Sequence, residues 1–473
     1  MLCRMSTGME NTMTETNRHF SPRATLAAIG LKIRAMNLLA PIKEKVKIAQ
    51  KTIKHEPFEK LQDALITILA GAHGLVEINT RLRSDPALQR AFGRNACADQ
   101  SVVQATLNAC ASTNVAQMML AMDVIVQQHG LAFRHDFSSA MLLIDIDLTG
   151  LPCGKKCEDA AKGYQAEAGI RWGRQMGRVI AAQYEEVVID RLYPGNLHLS
   201  KVLRPLVEDL EKTLALDEEK RKRTIIRMDA DGGSLDEVNW LLERGYQIHG
   251  KDISPARAES FAQSVTQWIS DPQHPHRQMG WAECECIGFV RPVKRLVLRW
   301  PPMSEEKRKK RPFHYACLLS TLEPAEVIRQ LSLPVHTAEN ADAVTLAYSA
   351  IYDKRGGTVE VEIKESKQGI GIHKRSKKRF AAQQMVMLLG SLAHNIIVWS
   401  RWWLTADAPR FAKYSALRIV RDLFHINGLL EFDEAGQILG ITLNKAAPLV
   451  REITAALAKL LAATGVEIKV GAT

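Results

Sequence analysis

The sequence predicts an α/β fold in which a mixed sheet is preceded by a helical region and interrupted by a β-rich insertion. Three observations carry that expectation. Up to about residue 135 apolar residues recur at helical spacing; after Ser138 the run MLLIDIDL reads as a buried strand; and between 271 and 335 three strand-like runs follow one another. The 473 residues are too many for one compact core, so two or three domains are expected.

Residues 1–20 are mixed and polar and are expected to be disordered, with Met5, Met9 and Met13 each offering another start. From Arg18 to His55 nine Lys and Arg face one acid, Glu44, interleaved with Leu26, Ile29, Leu38 and Leu39. Such a stretch lies along phosphates or forms a solvated basic helix. Phe58, Leu61, Leu65 and Leu69 keep helical spacing, Asp85 before Pro86 and Ser101 before an apolar run mark helix starts, and Gly130 closes Val115–Gln128. Residues 21–136 are therefore expected to form a helical, DNA-binding domain.

Beyond them, SAMLLIDIDLTG, KGYQAEAG and GRVIAAQY read as three strands at meander spacing, followed by a helix over about 200–215. RTIIRMDADGG is a fourth strand ending in acid and glycine. Ser234 and Glu237 form a capping box that opens DEVNWLLERG, and YQIHGKDIS is a fifth strand. Three strands, helix, strand, helix, strand is the order of a ribonuclease H-like sheet, which other mixed α/β folds share in part. The expected catalytic domain spans 137–270, a β-rich insertion spans 271–335 with the basic run Lys307–Arg311 on a connection, the catalytic domain resumes over 336–405, and 406–473 is a tail with a short strand pair and a helix.

Sixty-three Lys and Arg against fifty-two Asp and Glu leave a charge of +11, which favours a polyanionic partner. The eight cysteines are dispersed; Cys153/Cys157 and Cys284/Cys286 are the close pairs, and neither has the spacing of a zinc hook. With no run of eighteen apolar residues and no basic start followed by an apolar segment, the expectation is a soluble, cytoplasmic protein that engages no membrane.

Chemistry concentrates in YDKRGGTVEVEIKESK, Tyr352–Lys367, where a tyrosine, an arginine, a carboxylate and lysines recur at spacings that a helix aims at one point. Asp147 and Asp229 sit where strands are expected to end, and Glu360 lies on the helix after the insertion, with Glu362 and Glu365 as alternates. Asp145 and Asp231 are near competitors. Three carboxylates brought together demand a cation, and hard oxygen donors suit Mg²⁺ or Mn²⁺. Two such ions roughly 4 Å apart would activate a water or a 3′-hydroxyl on one side and stabilise the leaving oxygen on the other. Arg355, Lys364 and Lys367 are placed to hold phosphates, Tyr352 to bond to or stack on a strand end, and Trp300 is either a core residue or a platform for an extruded base.

At these residues the chain resembles the DDE transposases of bacterial insertion sequences, most closely the Y-R-E-K signature branch that includes the IS-thirteen-eighty group. IDIDLT supplies Asp145, Asp147 and Thr149 for the family's D-x-D-x-T; RMDADGG supplies Arg227 and Asp229 for R-x-D-S-G-F; and Tyr352, Arg355, Glu360 and Lys367 follow Y-x2-R-x3-E-x6-K in order. Two departures stand out: four residues instead of three between Arg355 and Glu360, through Gly356-Gly357, and DADGG in place of D-S-G-F. LAHNIIVW and the stretch AGAHGLVEINTRLRSDPALQRAFG extend the likeness. The resemblance implies a ribonuclease H-like fold and cut-and-paste transposition. It further implies catalytic Asp147, Asp229 and Glu360 on two divalent ions, double-stranded DNA partners (terminal inverted repeats and target DNA), a homodimer on DNA, and a place at the bacterial nucleoid.

Overall fold

The computed structural model describes residues 17–51, 54–165, 169–284, 288–356, 371 and 376–473. Its centre is a ten-stranded mixed sheet. In chain order, after β1 (Asn17–Ser21), its strands are β2 (Leu142–Pro152), β3 (Ala161–Tyr164), β4 (Ile170–Ala181), β5 (Glu186–Pro194), β6 (Thr224–Met228), β7 (Gln247–Lys251), β8 (Ile269–Ser270), β9 (Gln278–Trp281), β10 (Lys294–Trp300) and β11 (His314–Ser320). They lie in the order β3-β4-β2-β6-β7-β11-β10-β9-β8, with β5 also on β4. β4 runs antiparallel to β2 and β5, whereas β2, β6 and β7 are mutually parallel.

The parallel centre is buried on both faces, which is why TIIRM reads as a continuous apolar run around one arginine. On one face Ile144, Ile146, Val179, Ile226, Met228 and Ile248 share a core with Leu203, Leu206, Val207, Leu210, Val238 and Leu241 from the helices Leu203–Leu214 and Leu235–Glu243. On the other, Ile225, Leu296 and Leu318 pack with Tyr348 and Ile351 of the helix Ala341–Arg355. That second face carries the candidate site.

Two strand expectations change. GRVIAAQY is the end of β4, whose hairpin with β3 carries KGY, and the third strand of the meander is EVVIDRLYP, read from sequence as a connection. A carboxylate in the middle of that run hid it. Asp190 is tolerated there because its register partner is Arg178, and both side chains are fully buried in a 2.6 Å ion pair. The second and third insertion strands lie where expected, whereas the first, β9, begins earlier than the run GWAECECIGFV, and together they form no separate layer: β11 pairs with β7 and extends the central sheet. The basic run falls on a short exposed helix, Glu305–Lys310.

The N-terminal helices and the C-terminal tail are not independent. Ala24–Ala35, Pro57–Leu69, Gln100–Ala109, Ser112–His129 and the tail helix Val450–Leu460 contribute to one apolar core with the helix Phe380–Thr405. A four-stranded sheet seals it in the order β1-β12-β13-β14, where β12 is Gly428–Phe432, β13 Ile438–Asn444 and β14 Glu467–Gly471. Residues 17–20, assigned to a disordered tail from sequence, belong to β1, whose pairing with β12 needs a partner over four hundred positions away. Likewise Asp99, not Ser101, caps the helix Gln100–Ala109, accepting from the Ser101 N–H.

Phe380–Thr405 is long and apolar enough to cross a membrane, yet its most apolar window is 94% buried inside the protein. Its polar groups face β5. The Asn395 side chain accepts from Val187 N (2.9 Å) and donates to Val187 O (2.8 Å), so an amide takes the place of a neighbouring strand along that edge. LAHNIIVW is accounted for by this packing.

Candidate active site

Parallel pairing between β2 and β6 stops at Ile146 and Met228, and the next residue on each strand is a carboxylate, Asp147 and Asp229. Period-two alternation turns both toward the face covered by Ala341–Arg355. Asp147 is therefore not at the end of its strand as expected, because β2 runs on to Pro152 against β4. It lies where the pairing with β6 ends. Its side chain is 15% exposed. Burial pushes the Asp147 carboxyl up to about 6, and Asp229's charge adds to that push against the pull of Arg355.

Arg355 arrives from the other layer. Val344, Tyr348 and Ile351 form a buried stripe on Ala341–Arg355, and Arg355 continues it one turn further. Its Nη2 lies 3.1 Å from Asp147 Oδ1 and donates to Ile146 O at 3.2 Å. Burial opposes the Arg355 charge, yet Asp147, with Tyr352, Asp145 and Asp229 behind it, holds its pKa above the ordinary value. Arg178 is the register partner of Asp147 on β4, but its Nε and Nη2 go to Asp190.

The row beneath the two aspartates is wholly buried. Asp145, two residues before Asp147, takes Nε and Nη2 of Arg227 at 2.6 and 2.7 Å, and Arg227 Nη1 donates to Ile351 O. Next to it His249 Nε2 donates to Tyr348 O (3.0 Å), leaving Nδ1 to accept from Ser320 Oγ (3.1 Å). Asp145 is thus a structural ion-pair partner and Asp147 the carboxylate that keeps some exposed surface. Burial, with Arg227 beside it, pushes the His249 pKa down to about 3. Below pH 6.5 the unfolded chain takes up a proton that the folded imidazole refuses, so stability falls as pH falls from 6.5 toward 3. By pH 5 this histidine's share of the loss is about 2 kcal/mol. Urea unfolding at pH 7.5 and 5 should show His249→Gln losing about that much less than wild type.

Asp229 opens the tight turn Ala230–Gly232, its side chain accepting from Asp231 N at 3.1 Å. Asp231 points elsewhere: it accepts from Leu199 N (2.5 Å) and His198 Nδ1 (3.1 Å) and ties the turn to the segment before the Leu203–Leu214 helix. The glycines of DADGG have a steric reason, since a Cβ on Gly233 would lie 2.0 Å from Lys251 O. Gly233→Ala is expected to lower the unfolding free energy by about 2–3 kcal/mol, read by urea denaturation, because backbone must move to admit the methyl.

Of the remaining sequence candidates, Tyr352 lies one turn before Arg355, half-buried, its ring centroid 6.3 Å from that of His249. Trp300 ends β10 opposite His314, half-buried against the same core cluster. Glu360, Lys364 and Lys367, with the alternates Glu362 and Glu365, lie outside the described residues. Gly356, the first glycine of the unusual pair, caps the helix Ala341–Arg355 with helical dihedrals (φ −61°, ψ −33°). Sequence reading missed Arg178, Asp190, His249 and Arg277; charged or imidazole side chains inside strand-like runs were the available signal for the first three. Arg277 binds Asp271 (2.8 Å) and Asp353 (3.0 Å). Those two carboxylates and His274 have ligand atoms within 4.8 Å of one another, but the guanidinium already supplies the cation. Asp353 is two residues from Arg355, about 200° around the helix, and so turned away from Asp147.

A divalent cation at Asp147 and Asp229 would share Asp147 with Arg355, whose Nη2 lies 3.1 Å away. The oxygens of the two aspartates are hard donors, and a carboxylate forced toward its neutral form by burial and a second carboxylate is relieved by a positive ion beside both.

No family model and no curated protein matches the chain. Among solved structures it is similar to a cryo-electron microscopy structure of a piggyBac transposase synaptic complex with hairpin DNA, at 14% identity over 94% of this chain and 84% of that chain, with a TM-score of 0.45. At that identity and score the likeness bears on neither family nor activity.

Proposed function

We propose that the chain is a DDE transposase that binds the inverted repeats ending a mobile element, cleaves DNA phosphodiesters and joins the 3′-hydroxyl ends to target DNA. The observation that carries this reading is the facing pair Asp147 and Asp229, each one residue beyond the last parallel pairing of adjacent strands. The order β5-β4-β2-β6-β7, antiparallel then parallel, supports a ribonuclease H-like sheet. The motif Y-R-E-K supports the insertion-sequence branch with the IS-thirteen-eighty group.

In this reading Asp147 and Asp229, with Glu360 as third ligand, hold two Mg²⁺ or Mn²⁺ ions. When bound, such ions activate the attacking oxygen and neutralise the leaving one. Arg355 orients Asp147 through Nη2 and screens its charge toward an arriving phosphate. Tyr352, Lys364, Lys367 and Trp300 contact the DNA end, two copies act on paired ends, and the work is done at the bacterial nucleoid.

One observation favours a second reading. Four residues instead of three separate Arg355 from Glu360, a departure consistent with a transposase-derived DNA-binding protein that no longer cleaves. Incubating the protein and Mg²⁺ with a supercoiled plasmid carrying the DNA that flanks the gene separates the two. Nicking followed by joining supports the transposase. Nicking without joining points to a nuclease of the same fold, and binding without nicking points to the inactive descendant.

A further inference from the structure

Arg227 and Asp145 have no exposed side-chain surface, and two residues along the same face of their strands come Asp229 and Asp147. An ion pair so deep gains little net stability, because desolvation offsets the attraction and an apolar pair of like volume is often as stable. The pair does something an apolar pair could not. While Nε and Nη2 hold both oxygens of Asp145, Nη1 reaches out of the sheet to Ile351 O, one turn before Arg355. His249 makes a second such bond, to Tyr348 O. No apolar side chain bonds a helix carbonyl, and a lysine, with one nitrogen, cannot span both partners in this geometry.

Resting on the two-aspartate reading, we propose that Arg227 is a positioning residue: its bridge between Asp145 and Ile351 O sets the height and rotation of the last turn of Ala341–Arg355. Arg355 thereby meets Asp147, and Tyr352 stands beside the pair. Arg227 touches neither DNA nor ion. It couples the strand ending in Asp229, the strand carrying Asp147 and the helix carrying the Tyr-Arg motif.

The test uses the full chain with two variants, Arg227→Lys and the double variant Asp145→Leu/Arg227→Met, which leaves no unpaired charge. Three quantities are read: melting temperature, the part of Mn²⁺ binding that Asp147→Ala abolishes, and kcat and KM for plasmid nicking. The double variant should melt within about 5 °C of wild type. Both variants should bind Mn²⁺ about tenfold more weakly and lose about 10–100-fold in kcat, with KM for DNA unchanged. A folded double variant with wild-type Mn²⁺ affinity and wild-type kcat overturns the proposal. Should the double variant fail to fold, Arg227→Lys decides by the same two readouts. Should wild type bind Mn²⁺ and never nick, the transposase reading falls while the Mn²⁺ comparison still decides the role of Arg227.

Discussion

Asp147→Ala and Asp229→Ala are each expected to abolish Mg²⁺-dependent nicking, a loss of at least about a thousandfold, or about 4 kcal/mol of transition-state stabilisation. DNA binding should stay within a few-fold, because each substitution removes only one negative charge from a chain of net +11 and takes away no cation that could meet a phosphate. The two positions differ in what they leave behind. Removing Asp147 takes from Arg355 the carboxylate 3.1 Å from its Nη2, whereas removing Asp229 takes a cap from the Ala230–Gly232 turn. Asp147→Asn and Asp229→Asn, which keep shape and one oxygen, should therefore be equally inactive and better folded. A plasmid-nicking rate within tenfold of wild type in either variant would remove that residue from the site.

Asp190→Ala is expected to lower the unfolding free energy by about 3–5 kcal/mol, measured by urea denaturation. Asp190 takes Nε and Nη2 of Arg178 and accepts from the hydroxyl of Ser391 on the central helix, with no surface exposed in the ion pair. The substitution leaves a buried guanidinium without its carboxylate and breaks a tie between the sheet and Phe380–Thr405. Replacing both partners at once, Arg178→Met with Asp190→Leu, should recover most of the loss, since it is the stranded charge that destabilises. A single variant as stable as wild type would mean that Arg178 finds another anion, and Asp147, its register partner on β2, is the nearest by pairing.

How far the sequence could be read follows from the range of the forces involved. Local signals held: Asp85 caps the helix at Pro86, Ser234 caps Leu235–Glu243, and Gly130 closes Ser112–His129, all decided within a few residues. Runs rich in apolar residues located β2 and β6 as well, because strands buried on both faces are mostly apolar. The reading failed where a strand is made tolerable by a residue from another element. EVVIDRLYP is a strand because Arg178, twelve positions away on β4, answers Asp190 and because Asn395, 208 positions away, answers Val187.

The N-terminal helices, the strands β2 and β6, the basic balance and the candidates Asp147, Asp229, Tyr352 and Arg355 were thus legible in the sequence alone, because each is written in residue type and spacing. Only the tertiary structure decided which carboxylate of each close pair is taken up by a structural contact. Asp145 and Asp147 have the same alternation, and so the same claim from sequence; one is sealed against Arg227 with no exposed surface, whereas the other meets Arg355 and keeps 15% of its side chain exposed. Likewise Asp231 is spent on Leu199 N, two elements away from Asp229. Charge in a folded chain is assigned by what lies opposite it in space, and that partner is chosen by packing over distances that no local pattern records.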